Sequence, residues 1–279
     1  MKNNTIGVVG QGFVGTAIRE GFKDFVQIET YDKFKQSTCD SLEQLSQRAE
    51  IIFVCLPTPM RKSGDCDLSI VSETVYKLDS FGNDNIAVIK STVLPGTTEK
   101  FNKECNNLQV LFNPEFLTEA NFINDFKNQN RVIIGGPRPG TTKVKNLYRK
   151  CYPTASIIKT GSNTAEMVKY FTNCFLATKV SFSNEIRQVC EKINVDYDKV
   201  VEYGLYDQRI GKTHFSSPGP DGKFGFGGSC FPKDINALIS FAESAGMNPA
   251  VLKSVWNKNL EVRPEKDWEQ LKGRAVSEE

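Results

Sequence analysis

Thr5-Ile6-Gly7-Val8-Val9-Gly10-Gln11-Gly12-Phe13-Val14-Gly15 is the stretch that decides the fold. Ile6 to Val9 has the length and apolar character of a buried strand, and the residues from Phe13 through Phe22 carry a helical period. Between them stands G-x-G-x-x-G. The first glycine permits a tight turn, the second lets backbone approach a pyrophosphate, and the third lets helix pack on strand. The phosphates of a dinucleotide would then meet free N–H groups and the positive end of the helix dipole. Gly10, Gly12, Phe13, Val14 and Gly15 are therefore the expected cofactor loop.

Further out, Asp32 follows a second strand, 22 positions after Gly10. A carboxylate there accepts hydrogen bonds from the adenosine ribose and repels a 2′-phosphate, which selects NAD over NADP. Lys33 and Lys35 work against that selectivity, and a turn aspartate is the alternative reading.

The pattern continues as short β-branched runs at 5–9, 27–31, 51–54, 86–90, 109–112 and 131–135, alternating with helix-like stretches. This predicts an α/β fold, a Rossmann-type doubly wound parallel sheet. The loops at 55–59 and 90–98 each follow a strand, so Pro57, Thr58 and Thr92 fall at the carboxyl edge of the sheet, where ligands bind in such folds. From about Ser162 the character changes to one long amphipathic helix, 164–193. The expected organisation is an NAD-binding domain at 1–160 followed by an all-helical domain at 161–279. A Gly- and Pro-rich loop occupies 211–228, a helix runs from Phe231-Pro232 through Ala242, and after Trp256 a helix remnant leads into a charged, solvated tail ending Ser277-Glu278-Glu279.

Composition removes several function classes. Thirty-five Lys and Arg against 33 Asp and Glu leave a net charge of +2 with no basic cluster, so nucleic acid is not an expected partner. The N-terminus lacks the apolar core of a signal peptide and no run reaches membrane-spanning length, so a cytoplasmic chain is expected. Eight cysteines without a C-x-x-C pair argue against zinc and, in a reducing compartment, against disulfides. His214 is the sole histidine. Acid–base chemistry must therefore come from Lys, Glu, Asp or water, and no metal site is expected.

The most informative segment for chemistry is Phe226-Gly227-Gly228-Ser229-Cys230-Phe231-Pro232-Lys233-Asp234. Proline suits the first turn of a helix, so Cys230 falls at or just before the N-cap. The helix dipole and Lys233 both favour a thiolate there. Lys169 and Asn173 lie one helical turn apart and can donate to one developing oxyanion. An exposed helix face with an incidental lysine is the plainer alternative. Glu115 and Glu119 are two carboxylates four positions apart after a strand; either can activate water, and helix-start acids are the commoner explanation.

Taken together, residues 10–15, 56–59, Gly64 with Asp67-Leu68-Ser69, 90–92, 113–119, 166–173, 208–211 and 225–234 resemble, in order, the UDP-glucose/GDP-mannose dehydrogenase family. That resemblance implies NAD-dependent oxidation of the C6 alcohol of a nucleotide sugar to a carboxylate by two hydride transfers. It implies Cys230 as the nucleophile that forms a thiohemiacetal and then a thioester, and Lys169, Asn173 and Asp234 around the reacting oxygens. Glu115 is implied as base for hydrolysis, with Thr92 positioning the water. Glu119, Lys233, Phe226 and Gly227 are implied substrate contacts. Arg209 is implied to reach a neighbouring subunit's substrate, against the alternative of a plain surface arginine, and the long helix becomes a homodimer core. Family members ordinarily continue into a third domain that closes over the nucleotide, and the chain stops at Glu279. The expectation is a compact active enzyme, with a chain completed by another polypeptide and an NAD-binding subunit without turnover as alternatives. A single-step β-hydroxyacid dehydrogenase is the other enzyme class that joins these two domain types.

Overall fold

The computed structural model describes residues 4–278, and it divides into two compact units. Met1, Lys2, Asn3 and Glu279, the last residue of the expected solvated tail, lie outside the described residues. The first unit comprises residues up to Thr58 and Leu68–Lys169. The second comprises Pro59–Asp67 and Tyr170 onward.

In the first unit the order is β1 (Thr5–Val9), α1 (Phe13–Phe22), β2 (Gln27–Tyr31), α2 (Leu42–Arg48), β3 (Ile51–Val54), α3 (Ser69–Ser80) and β4 (Asn85–Ile89). It continues with α4 (Thr97–Glu104), β5 (Leu108–Phe112), α5 (Phe122–Lys127), β6 (Arg131–Gly135), α6 (Gly140–Cys151) and β7 (Ser156–Thr160). The seven strands stand in the order β2-β1-β3-β4-β5-β6-β7. Because β1 has β2 on one side and β3 on the other, the strand order reverses between β1 and β3. The loops leaving those two strands therefore open at the topological switch point, where such folds bind ligands.

Apolar side chains alternate across the sheet. Ile6, Val8 and Phe53 face a layer containing Ile18, Phe22, Phe126 and Tyr148. Val9, Ile52 and Val54 face the opposite layer, with Leu45, Val75 and Phe101. Each large apolar side chain buried in this way contributes about 1.5–3 kcal/mol, and a one-residue slip would exchange the two sets between layers packed by different side chains.

The sheet differs from expectation in three respects. The fourth and fifth strands begin at Asn85 and Leu108, one residue early. The sheet is not parallel throughout, since β5 and β6 are antiparallel and meet only at Phe112 and Gly135. Their connection carries an irregular strap and the six-residue α5 in place of a full crossover helix. And β7 is an unforeseen strand, parallel to β6, whose Ser156-Ile157-Ile158-Lys159-Thr160 is only partly buried. An edge strand needs one neighbour and tolerates polar residues, so its signal is faint.

The 31-residue α7 (Ser162–Lys192) is one continuous helix that begins in the first unit and ends in the second. The second unit adds α8 (Tyr197–Gly204), α9 (Phe231–Ser244) and α10 (Ala250–Val262). Helix α8 was not expected. It is short, and its clearest local signal is Asp196, whose carboxylate caps it by accepting from the N–H groups of Asp198 and Lys199.

The solvated tail is also corrected. After α10 a 3₁₀ turn at Asp267–Gln270 buries Trp268 fully against Trp256, with ring centroids 5.1 Å apart. The chain then pairs with the excursion at 59–67: Met60 N–H donates to the Ala275 carbonyl and Ser277 N–H to the Met60 carbonyl, both at 2.8 Å. One of the charges that suggested solvent, Arg263, is buried and paired with Asp221 and Asp267. All eight cysteines are free thiols. Among the described residues no helix is long and apolar enough to cross a membrane, and none of the His, Cys, Asp and Glu groups could hold a metal.

Candidate active site

In the first unit the sequence after β1 builds a cradle from backbone. Gly10 has a φ of +86°, and a Cβ there would fall 2.5 Å from the Cys55 carbonyl oxygen. A Cβ at Gly15 would fall 1.9 Å from the Gly10 carbonyl oxygen. At Gly12, the N-cap of α1, an added Cβ would meet no protein atom within 4 Å. Protein packing thus demands the first and third glycines but not the second, which is the pattern expected of a loop whose middle glycine admits a phosphate. Phe13 is exposed, edge-on to Phe122 at 5.2 Å, while Val14 packs on the core beneath. Asp32 is tied to this loop: Oδ2 accepts from Gln11 N–H at 2.6 Å, and Oδ1 accepts from the N–H groups of Phe34 and Lys35. Lys35 reaches back to the Gln11 carbonyl at 2.7 Å. The residues present fit a dinucleotide at this loop.

The two other edge loops lock to each other. Ser91 accepts from Leu56 N–H at 3.0 Å, and the Thr58 hydroxyl donates to the Thr92 carbonyl at 2.8 Å. Thr58 and Thr92 are buried, whereas Pro57 is exposed.

Behind them, residues 113–119 form a strap that leaves β5 without becoming helical. Lys90, at the end of β4, is fully buried and donates to Asn113 Oδ1 at 2.9 Å and toward the Pro114 carbonyl at 3.4 Å. Tyr148 donates to the same Asn113 oxygen at 2.6 Å. Burial pushes the Lys90 ammonium down to about 8, against the opposing pull of Cys55 and Glu115.

Glu115 is held by Lys169, which donates to its carbonyl at 2.7 Å and to its carboxylate at 2.8 Å. Burial alone would raise the Glu115 carboxyl. The charge and hydrogen bond of Lys169, the Leu117 N–H and the charge of Lys90 outweigh it, and the group lies below the usual carboxylate range. Glu115 is therefore a carboxylate, not a helix-start acid. Glu119 lies exposed farther along the strap. Glu166, one turn before Lys169, is wholly buried and accepts from the N–H groups of Gly96 and Thr98, capping α4.

In the second unit Asn173 continues the buried face of α7 and donates to Asp234 Oδ2 at 2.6 Å. Lys233 donates to the other oxygen of Asp234. Burial would lower the Lys233 ammonium, but Asp234 above all, then Cys230 and Cys66, raise it beyond its ordinary value. Cys230 is the N-cap of α9, with Pro232 in the first turn, and its carbonyl accepts the Asp234 N–H at 3.0 Å. Phe226 is buried edge-on to Phe231 at 5.9 Å, and Gly227 and Gly228 lead into the thiol, Gly228 at a φ of +69°. His214, the sole histidine, rests its ring 5.8 Å from Phe231. Arg209 is nine-tenths exposed and paired with Asp207.

Lys169 and Asn173 are thus both buried, which disposes of the exposed-face alternative. Within each unit the site residues fall into one connected set: Glu115 with Lys169 in the first, and Cys230, Lys233, Asp234 and Asn173 in the second. Arg209 pairs with Asp207 instead.

Two models of one family match the chain. The NAD binding domain of the UDP-glucose/GDP-mannose dehydrogenase family covers residues 17–152, and its central domain covers residues 163–261. The chain belongs to the UDP-glucose/GDP-mannose dehydrogenase family. A UDP-glucose 6-dehydrogenase of Bacillus subtilis, TuaD, is 35% identical over 252 residues, covering 87% of this chain and 53% of that protein. The solved structure of a UDP-glucose dehydrogenase from Pyrobaculum islandicum superposes with a TM-score of 0.85 at 29% identity, over 96% of this chain and 70% of the other. A Mycobacterium tuberculosis 3-hydroxyisobutyrate dehydrogenase reaches 0.73 at 13% identity over 94% of each chain, a likeness of fold alone. The chain spans about half the length of the curated relatives it matches.

Sequence reasoning missed four residues that shape the second unit's part of this site. Asn259, Arg263 and Asp267 recur at a spacing of four and all reach the nucleophile loop, and Arg274 reaches Ser229. That spacing, beside Trp256 and Trp268, was the available signal. Three of the four lie beyond residue 261, where the match to the central-domain model ends.

Proposed function

We propose that the chain oxidises the C6 alcohol of a nucleotide sugar to the carboxylate in two hydride transfers, with Cys230 carrying the sugar between them. One alcohol and one water give one carboxylate, releasing two hydrides and three protons. The observation that supports this most is Cys230 at the N-cap of α9, beside the Lys233–Asp234–Asn173 set. NAD at the glycine loop and Asp32 supplies the hydride acceptor.

The remaining tasks fall to side chains. Asp234 and Lys169 attend the alcohol oxygen as its proton passes to water. The Cys230 sulfur then attacks the aldehyde carbon, forming the C–S bond of a thiohemiacetal, and loss of the second hydride from that carbon leaves a thioester. Lys169 and Asn173 are donors for the tetrahedral oxyanions. Glu115, kept ionised by Lys169, takes a proton from water positioned by Thr92. The hydroxyl adds to the acyl carbon, the C–S bond breaks, and the thiolate departs. Glu119, Lys233, Phe226 and Gly227 contact the substrate, and Arg209 reaches that of a second copy.

A second copy is supported by α7. Phe171, Phe175, Phe182 and Val189 are 67%, 54%, 58% and 49% exposed, and at 3.6 residues per turn they fall within about 40° of one line along the helix. A reducing cytoplasm is the compartment in which eight free thiols persist.

The test is NADH production from UDP-glucose, UDP-N-acetylhexosamines and GDP-mannose, with product stoichiometry. Two NADH per sugar, and no acid from Cys230→Ser, are expected. One NADH per sugar that survives Cys230→Ser would replace this reading with a single-step hydroxyacid-type oxidation. NAD binding without NADH from any of them would leave a binding subunit.

A further inference from the structure

The loop that precedes the nucleophile is held, atom by atom, by residues downstream of it. Asn259 grips the Phe226 residue from both sides: Oδ1 accepts its N–H at 2.7 Å and Nδ2 donates to its carbonyl at 2.9 Å. Arg263, one turn farther along, is buried and spreads its guanidinium over three acceptors. Nη1 donates to the Phe224 carbonyl at 3.2 Å, Nη2 to Asp221 at 2.7 Å and Nε to Asp267 Oδ1 at 2.6 Å. Asp267 turns its second oxygen to the loop and accepts the Gly228 N–H at 3.1 Å. Arg274 donates to Ser229 Oγ at 3.4 Å, and that oxygen lies 3.9 Å from Cys230 Sγ.

A guanidinium is charged at every working pH and offers a planar fork, so it imposes direction as well as attraction. For stability alone, apolar packing serves as well as a buried ion cluster. What the cluster adds is a single geometry for residues 224–229. Gly227 lies directly under the cluster: an added Cβ would fall 2.4 Å from Arg263 and 2.5 Å from both Asp267 oxygens, so any larger residue there must push the clamp aside.

We infer that Asp267 is a positioning residue for the thiol chemistry, fixing the Gly228 peptide directly and residues 224–227 through Arg263, so that Cys230 is presented from the start of α9 in one place. The inference rests on the proposed function only for which reaction is positioned. The hold on the loop is independent of it.

The experiment compares full-length wild type, Asp267→Ala and Asp267→Asn by iodoacetamide alkylation, with rates read at individual cysteines by peptide mass spectrometry. Cys174 and Cys190, buried in the same unit, report general loosening. Asp267→Ala should accelerate alkylation of Cys230 at least fivefold while Cys174 and Cys190 stay within twofold of wild type. Asp267→Asn has one acceptor oxygen where the carboxylate has two, so it keeps one of the two hydrogen bonds to the Gly228 N–H and Arg263 Nε and should fall between wild type and Asp267→Ala at Cys230, with Cys174 and Cys190 within twofold. An unchanged Cys230 in Asp267→Ala, a parallel rise at all three thiols, or equal acceleration in both variants would overturn the inference. With an active wild type, Asp267→Ala should also lower kcat at least tenfold with KM within threefold. A wild type that makes no NADH would refute the proposed function, and the alkylation comparison would still decide the role of Asp267.

Discussion

At Gly10 and Gly15 an added Cβ would strike backbone: the Cys55 carbonyl oxygen at 2.5 Å and the Gly10 carbonyl oxygen at 1.9 Å. At Gly225 and Gly227 it would strike side chains, the Asn259 Oδ1 and the Arg263 guanidinium, each at 2.4 Å. The first loop is constrained by strands and turns within a few dozen residues, so its requirement is written into a local motif. The second is constrained by residues more than 30 positions downstream. Both loops deliver a reactive partner to a helix N-terminus, yet one does so with main chain and the other with a charged clamp.

The sharpest way to break this comparison is Gly15→Ala. Backbone cannot step aside, so NAD affinity should fall at least 100-fold, about 2.7 kcal/mol, by calorimetric titration. Wild-type affinity would mean that the first loop is as adjustable as the second. Gly227→Ala comes next. Its neighbours are side chains that can swing away, so the chain should fold, keep wild-type NAD affinity and lose roughly tenfold in acid production, about 1.4 kcal/mol. A parallel loss of NAD affinity would show the two loops to be coupled. Gly12→Ala isolates the cofactor from the protein: stability should stay within about 0.5 kcal/mol because nothing is struck, while NAD affinity drops several-fold. Thermal melts with and without NAD separate the two effects.

The smallest effect comes from pH. Lys90 titrates near 8 when folded and near 10.4 when unfolded, so between those values the unfolded chain binds more protons. Lys90 should therefore add about 1 kcal/mol of stability between pH 8 and 9, read in urea titrations as the difference in slope between wild type and Lys90→Met. Cys55, whose thiol burial pushes up to about 12, acts in the opposite direction from about pH 8.5 upward in both proteins and so leaves the difference between them to Lys90. The clamp of the second loop responds at the other end of the scale. Burial would raise Asp267, but Arg263 and the Gly228 N–H bring it below its ordinary value, so its contribution is present above the unfolded carboxyl value and is lost as pH falls below about 4.

The same contrast explains what the amino-acid sequence revealed. Strands β1, β2, β3 and β6 were legible to the residue because each is an apolar run bounded by turn residues. Cys230 was placed at a helix start by Pro232 alone. Strand β7 and the antiparallel β6 depend on which neighbour accepts an edge, and no local pattern encodes that. Asn113 and Lys90 looked like generic loop and strand-end residues until the fold buried them together. Arg263 and Asp267 were read as solvated charge because a run of charges gives no hint that Asp221, 42 positions upstream, is waiting for one of them.

The nine residues Pro59–Asp67 leave the first unit, join the second and return, so the backbone passes between the units three times. They are rooted where they go: Met60 exchanges hydrogen bonds with Ala275 and Ser277, and Asp65 accepts from Ser240. A single breakpoint near residue 160 would hand one gene fragment a stranded hairpin and the other an unfilled seat. Recombination can therefore exchange these units cleanly only by moving three junctions at once, which ties the two halves together in inheritance.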